Sequence, residues 1–386
     1  MRRLGDTVAR LTAASLTAAR LTAAHVPAAR MPGTRASSAA SRLRRVDPGG
    51  LNPGALDAFA YAPPQASGTA LVVVLHGCTQ TAEAYDHGSG WSRHAEALGF
   101  AVLFPEQRRT NNPGLCFNWF TEDDVARDRG EAASIAEMIV AMVRDHDLDP
   151  KRVFITGLSA GGAMVAAMLA TYPDLFAGGA VIAGLPFAAA TGMTQAFDAM
   201  RGSGQAPAAV SIERVRQASP GVDRWPRVSI FHGTADSTVD VRNSDGLVAQ
   251  WVGVHGLKAN ADSETVAGRC RHRIWSDAAG SAVVEDYRIE GMGHGVPIDA
   301  GGRDPFGAAG PFMLDVGFSS TACLIEAWDL GDPALSRSAN EDRTVVADPA
   351  PPSPDDRAPT PRANSPAGRV EAIIEASLRR AGLLTW

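Results

Sequence analysis

The chain has 386 residues, 45% of them hydrophobic and 20% charged, with a formal net charge of −6. That length and apolar content suit one large folded domain with extensions. The acidic balance argues against a nucleic-acid partner, which needs a basic face, and no run approaches the ~18 apolar residues of a membrane-spanning helix.

Residues 1–50 begin basic and hold three near-copies of LTAA, starting at Leu11, Leu16 and Leu21. Their five-residue spacing matches neither a heptad nor a solenoid period. With Pro27, Pro32 and the Ser/Ala/Arg run to Arg45, the segment is expected to be a low-complexity basic arm. Its apolar stretch faintly suggests a secretory leader, but Arg20 interrupts it, so no clear leader is expected.

From Ala55 the texture changes. A short strand is expected at 59–62, followed by LVVVL at 71–75, whose β-branched run suits a strand buried on both faces. Next come a helix through 91–98, the strand AVLFPE, a long loop containing LCFNWF, and a helix over 129–146 with Ile135, Met138, Ile139 and Met142 on one face. RVFITG, GGAVIAGLP, RVSIFHG and VVEDYRIEG read as further strands, with the helix MVAAMLATYP after the first. Such alternation predicts an α/β fold with a mostly parallel sheet and helices on both faces. The Gly/Ala/Gln-rich stretch 187–224 is expected to be a lid or a substrate-lining insertion. After a helix near 320–330 the composition turns Pro, Asp and Ser rich. The expected organisation is a catalytic domain over 55–332, a Pro-rich linker over 333–366 and an amphipathic helix over 367–386.

Gly157-Leu158-Ser159-Ala160-Gly161 has the form G-x-S-x-G, in which small flanking residues allow a strained strand-to-helix turn that pushes a nucleophilic serine outward. The pentapeptide alone is equally a turn, but the apolar strand before it and the helix after it supply the required context. A serine hydroxyl needs a general base and a group that orients the base. Asp236, just beyond the strand RVSIFHG, is the expected acid, with Asp240 its nearest rival; His294, in the glycine-flanked loop GMGHGVP, is the expected base. His76 and His232 end apolar strands before a glycine and are expected to brace turns. The backbone N–H groups of Ala160 and Cys78 are placed to form an oxyanion hole. Four cysteines, Cys78, Cys116, Cys270 and Cys323, lack metal-ligand spacing, so no metal is expected. Cys78 either joins Cys116 in a disulfide or stays a buried thiol.

The segments LVVVLHGCTQ, FPEQRRTNNPGLCFNWF, RVFITGLSAGGAM and FAGGAVIAGLP resemble the poly(3-hydroxybutyrate) depolymerase family of esterases, which is related to feruloyl and acetyl xylan esterases. The resemblance covers roughly 55–330. It implies an α/β-hydrolase fold, a triad at Ser159, Asp236 and His294, no metal or other cofactor, and an ester substrate, whether polyester, oligomer or small ester. It often goes with secretion, although the weak leader keeps a cytoplasmic location open. Trp119 and Phe120 are candidates for lining an acyl pocket and equally suit plain core. No Thr/Ser-rich or immunoglobulin-like stretch follows the catalytic region, so soluble oligomers or small esters are expected ahead of crystalline polymer. The rival readings are a feruloyl or acetyl xylan type esterase, a peptidase or thioesterase with the same triad, and a polymer- or partner-binding module on an inert hydrolase scaffold.

Overall fold

The computed structural model describes residues 41–302 and 304–331. The residues 1–40 of the basic arm, the linker over 333–366 and the amphipathic segment over 367–386 lie outside the described residues. One sheet organises the rest. Its strands are β1 (Arg44–Val46), β2 (Asp57–Tyr61), β3 (Leu71–Leu75), β4 (Ala101–Glu106), β5 (Val153–Leu158), β6 (Gly178–Ile182), β7 (Arg227–Gly233), β8 (Ser263–Ala267), β9 (Cys270–Ser276) and β10 (Ala282–Ile289). They run in the order β1-β2-β4-β3-β5-β6-β7-β10-β9-β8. The run from β4 to β10 is parallel throughout, and the pairs beyond it at each side are antiparallel.

Alternation along the central strands divides the core in two. On β3, Leu71, Val73 and Leu75 face one apolar layer, while Val72 and Val74 face the other. The first layer is covered by α4 (Gly130–Asp145), α5 (Ala160–Thr171) and α8 (Arg242–Val254). Every residue of α5 is buried, as its lack of a polar face requires. The second layer is covered by α1 (Ala82–Ser89), α2 (Trp91–Leu98) and α9 (Ser320–Ala327). There Trp328 stacks on Phe154 at 4.8 Å and lies 6.2 Å from Trp91.

One expectation is corrected. The boundary at residue 50 falls too late, because Arg44–Val46 pairs antiparallel with β2 and Leu43 is buried against the second layer. Charged residues suit a sheet edge, so composition alone hid this strand. The stretch 187–224 holds α6 (Met193–Met200) and α7 (Ala208–Ala218) and forms the crossover from β6 to β7. Val215 of α7 enters the first core layer, whereas Ala196 and Ala199 of α6 pack in a small apolar cluster with Trp119, Ala160 and Val239. A short helix α3 (Glu122–Val125), a 3-10 turn at Pro173–Leu175 and the strand pair β11 (Val296–Ile298) and β12 (Met313–Asp315) complete the described elements. No described helix is long and apolar enough to cross a membrane.

Trp251 of α8 is wholly buried in the first layer, and its indole N–H has no hydrogen-bond partner among the described residues. Trp251→Phe removes that uncompensated donor along with some volume, so its cost should stay below about 1.5 kcal/mol. Trp251→Ala should cost about 3–5 kcal/mol. Chemical denaturation of both variants checks the contrast.

Candidate active site

The serine elbow at 157–161 is first of all a backbone constraint. Ser159 has φ 57° and ψ −118°, a conformation that side chains rarely adopt and that costs on the order of 1–3 kcal/mol. The two flanking glycines permit it by close approach. A Cβ on Gly161 would lie 2.4 Å from the Leu75 carbonyl oxygen and 2.5 Å from that of His76, and one on Gly157 would meet the Gly161 backbone at 2.7 Å. The Ser159 N–H donates to the Ile182 carbonyl at 2.9 Å, continuing the β5–β6 ladder into the turn. Ser159 thus sits at the carboxyl end of β5, between the sheet and the start of α5.

Asp236 and His294 occupy the same edge of the sheet, beyond β7 and β10. The loops that carry them are laid one on the other: Thr234 N–H donates to the Ile289 carbonyl, Ala235 N–H to the Met292 carbonyl, and Gly291 N–H to Thr234 Oγ1. Gly233 lets them touch, since a Cβ there would lie 2.2 Å from the Met292 carbonyl oxygen. The result is a hydrogen bond of 2.7 Å between His294 Nδ1 and Asp236 Oδ2. The other carboxylate oxygen accepts the Thr238 and Val239 N–H groups at 2.8 and 2.9 Å. Burial alone would raise the Asp236 carboxyl, but the His294 and His232 imidazoles beside it outweigh burial and hold it well below the usual carboxylate range. It is therefore a carboxylate, and His294 carries its proton on Nδ1. Among the described residues His294 Nε2 makes no hydrogen bond, which keeps it available to a hydroxyl. Asp240 is engaged by Arg242 instead.

His232, expected only to brace a turn, does more. Its Nε2 donates to the Val239 carbonyl at 2.8 Å and lies 3.5 Å from Asp236 Oδ2, so the turn it braces is the one that holds Asp236. His76 braces the other side, donating from Nδ1 to the Gly77 carbonyl and accepting the Gln107 N–H at Nε2. Burial pushes its pKa down to about 4.

Cys78 and Cys116 form a disulfide, with Cα atoms 4.2 Å apart. This ties the loop after β3 to the long loop after β4, and Thr79 N–H reinforces the tie by donating to the Gly114 carbonyl. Beneath it, buried Glu131 at the start of α4 accepts from Gln107 Nε2, Asn118 N–H and Asn118 Nδ2. This polar brace leaves no mark in the sequence, because its residues are scattered and show no spacing pattern. Among the described residues, neither the Cys78 nor the Ala160 N–H is spent on another acceptor. Trp119 and Phe120 meet edge to face at 5.5 Å, and both pack in the cluster that contains Ala160. Cys270 and Cys323 are free thiols.

A mostly parallel sheet crossed by helices, a strained serine elbow on its central strand, and an aspartate and a histidine paired from the loops two and three strands away are the hallmarks of the α/β-hydrolases. The comparisons narrow the class. Residues 56–276 match the family model described as esterase PHB depolymerase, and the chain belongs to that family of carboxylic ester hydrolases. It is 43% identical over 290 residues to poly(3-hydroxyalkanoate) depolymerase C of Paucimonas lemoignei, covering 74% of this chain and 70% of the relative. It is 33% identical over 267 residues to an acetylxylan esterase of Coprinopsis cinerea, covering 67% and 70% respectively. Among solved structures, an acetyl xylan esterase from Aspergillus awamori superposes with a TM-score of 0.60 at 26% identity, covering 65% of this chain and 93% of that one.

Two outcomes are expected. Gly161→Ala forces a methyl into two backbone carbonyls that cannot swing away, so it should cost about 3 kcal/mol or displace the elbow; thermal unfolding and esterase rate report on the two. His76 has a folded pKa of about 4 against 6.5 for the free group. The unfolded state binds the extra proton between these values, so this stabilisation is complete above 6.5 and is lost as pH falls toward 4, by about 1.4 kcal/mol per pH unit. His76→Gln should remove that slope from the stability–pH curve.

Proposed function

We propose that Ser159 is the nucleophile of a serine triad with His294 as general base and Asp236 as the orienting carboxylate. The observation that carries this reading is the 2.7 Å His294–Asp236 hydrogen bond on the same sheet edge as the strained Ser159 turn. His294 Nε2 takes the Ser159 hydroxyl proton as Oγ attacks the ester carbonyl carbon. Asp236 fixes the tautomer and stabilises the imidazolium that forms. The Cys78 and Ala160 N–H groups stabilise the oxyanion. Collapse of the tetrahedral intermediate breaks the bond to the leaving alkoxide, which receives the proton from His294, and leaves an acyl-Ser159. Water then attacks the acyl carbon as His294 takes its proton, and collapse of the second tetrahedral intermediate breaks the bond to Ser159 Oγ, which regains the proton from His294 as the acid leaves.

The substrates this reading favours are esters of short 3-hydroxy acids, as polymer or oligomer, because the depolymerase relative shares 43% identity against 33% for the acetylxylan esterase. Trp119 and Phe120 would wall the acyl pocket. The second reading is acetyl ester hydrolysis on xylan, supported by the acetylxylan esterase relative and by the Aspergillus awamori structure. Extracellular action fits the Cys78–Cys116 disulfide, since such bonds persist in oxidising compartments.

Ser159→Ala should lower kcat on p-nitrophenyl butyrate by about 10³- to 10⁶-fold, and Asp236→Asn by about 10⁴-fold, with unchanged circular dichroism. A Ser159→Ala protein as active as the parent would overturn the triad. Rates on hydroxybutyrate oligomers and acetylated xylan separate the two substrate readings.

A further inference from the structure

Next to the loops that carry Asp236 and His294, a cavity of about 480 Å³ opens between α8 and the β8–β9–β10 edge, walled by Arg269, Arg271, Arg273 and Arg288. This is a dense gathering of guanidinium groups on a chain whose formal net charge is −6. Alternation on β9 puts Arg271 and Arg273 on one face while His272 stacks on Tyr287 on the other. The register of β9 and β10 sets Arg288 opposite Arg271, and Asp286 opposite Arg273.

The wall is organised from beneath by a buried carboxylate. Asp286 is fully buried and accepts from Arg273 Nη2 at 2.7 Å, from Arg288 Nε at 2.8 Å and from Ser244 Oγ at 2.9 Å. Arg288 Nη2 also reaches Asp245 at 2.8 Å. These two arginines are held and largely neutralised. Arg269 and Arg271 are not. Arg269 spends Nε on the Glu290 carbonyl at 2.9 Å and has no carboxylate partner among the described residues. Among the described residues Arg271 meets only Glu264 as a carboxylate partner, at 3.6 Å, with both side chains about half exposed, where an ion pair is worth little. Two guanidinium forks therefore face the cavity with donors to spare, and the planar fork matches a carboxylate. Glu290 lines the same cavity and offers an acceptor for a hydroxyl.

We propose that this cavity is a second site, distinct from the Ser159 crevice, that binds a short hydroxy acid through its free carboxylate on Arg269 and Arg271 and its hydroxyl on Glu290. The identity of the acid rests on the hydroxy-ester reading above, whose hydrolysis releases such a product. Thr234, in the cavity wall, accepts the Gly291 N–H and so joins the loops of Asp236 and His294 at the rim of the site.

The test is calorimetric titration of the full chain carrying Ser159→Ala, so that no arm turns over. 3-Hydroxybutyrate should bind saturably, with its methyl ester, butyrate and inorganic phosphate each at least ten-fold weaker. Arg269→Ala/Arg271→Ala should lose at least ten-fold; both side chains are exposed, and Arg271→Glu gives a second, single-site variant should the double one unfold. Equal binding of acid and methyl ester, tighter binding of phosphate, undiminished binding by the arginine variants, or no saturable binding would each overturn the proposal. Esterase activity surviving in Ser159→Ala would instead sink the triad, so the two failures are distinguishable.

Discussion

The site depends on one contact between backbones. The chain at Gly161 passes so close to the Leu75 and His76 carbonyls that no side chain fits between them, and this approach holds Ser159 at positive φ. Release of that strain would let the serine relax into an ordinary helix start, turned away from the edge where Asp236 and His294 lie. The strain is tolerated because its surroundings are rigid: β5 is buried on both faces, α5 is buried along its whole length, and the Ser159 N–H is anchored on β6.

The same logic runs through the supporting residues. Each functional group is held by a group that does no chemistry of its own. Two backbone N–H groups grip one oxygen of Asp236, so the other points at His294. His232 fastens the Val239 carbonyl and closes that turn. The disulfide and the Glu131 carboxylate hold the loops around Cys78. A positioned donor or base acts without reorganising during the reaction, which is where most of the rate advantage of such sites arises.

Much of this was legible from residues alone, and the reasons are physical. Strands buried on both faces, such as 71–75 and 153–158, leave unbroken apolar runs, and an elbow that needs glycines leaves a fixed pentapeptide. The β8–β9 hairpin left neither signal, because β8 is exposed along its whole length and is held by backbone pairing. His232 shows a similar limit. Its place before a glycine at a strand end marks it as a brace, yet that its ring fastens the Val239 carbonyl is set by how the loop after β7 folds back. Phe312, whose ring meets that of His294 edge on at 6.2 Å, comes from the far side of the β11–β12 connection and had no local mark at all.

The central claim is that ester cleavage passes through a covalent bond to Ser159. Rapid acid quench of the enzyme during turnover of p-nitrophenyl butyrate, followed by peptide mass spectrometry, tests it most directly. A butyryl adduct on the peptide that contains Ser159, accompanied by a stoichiometric burst of p-nitrophenol, is the result the account predicts. A quenched enzyme that turns over at the same rate and yet carries its acyl group on another residue would contradict it.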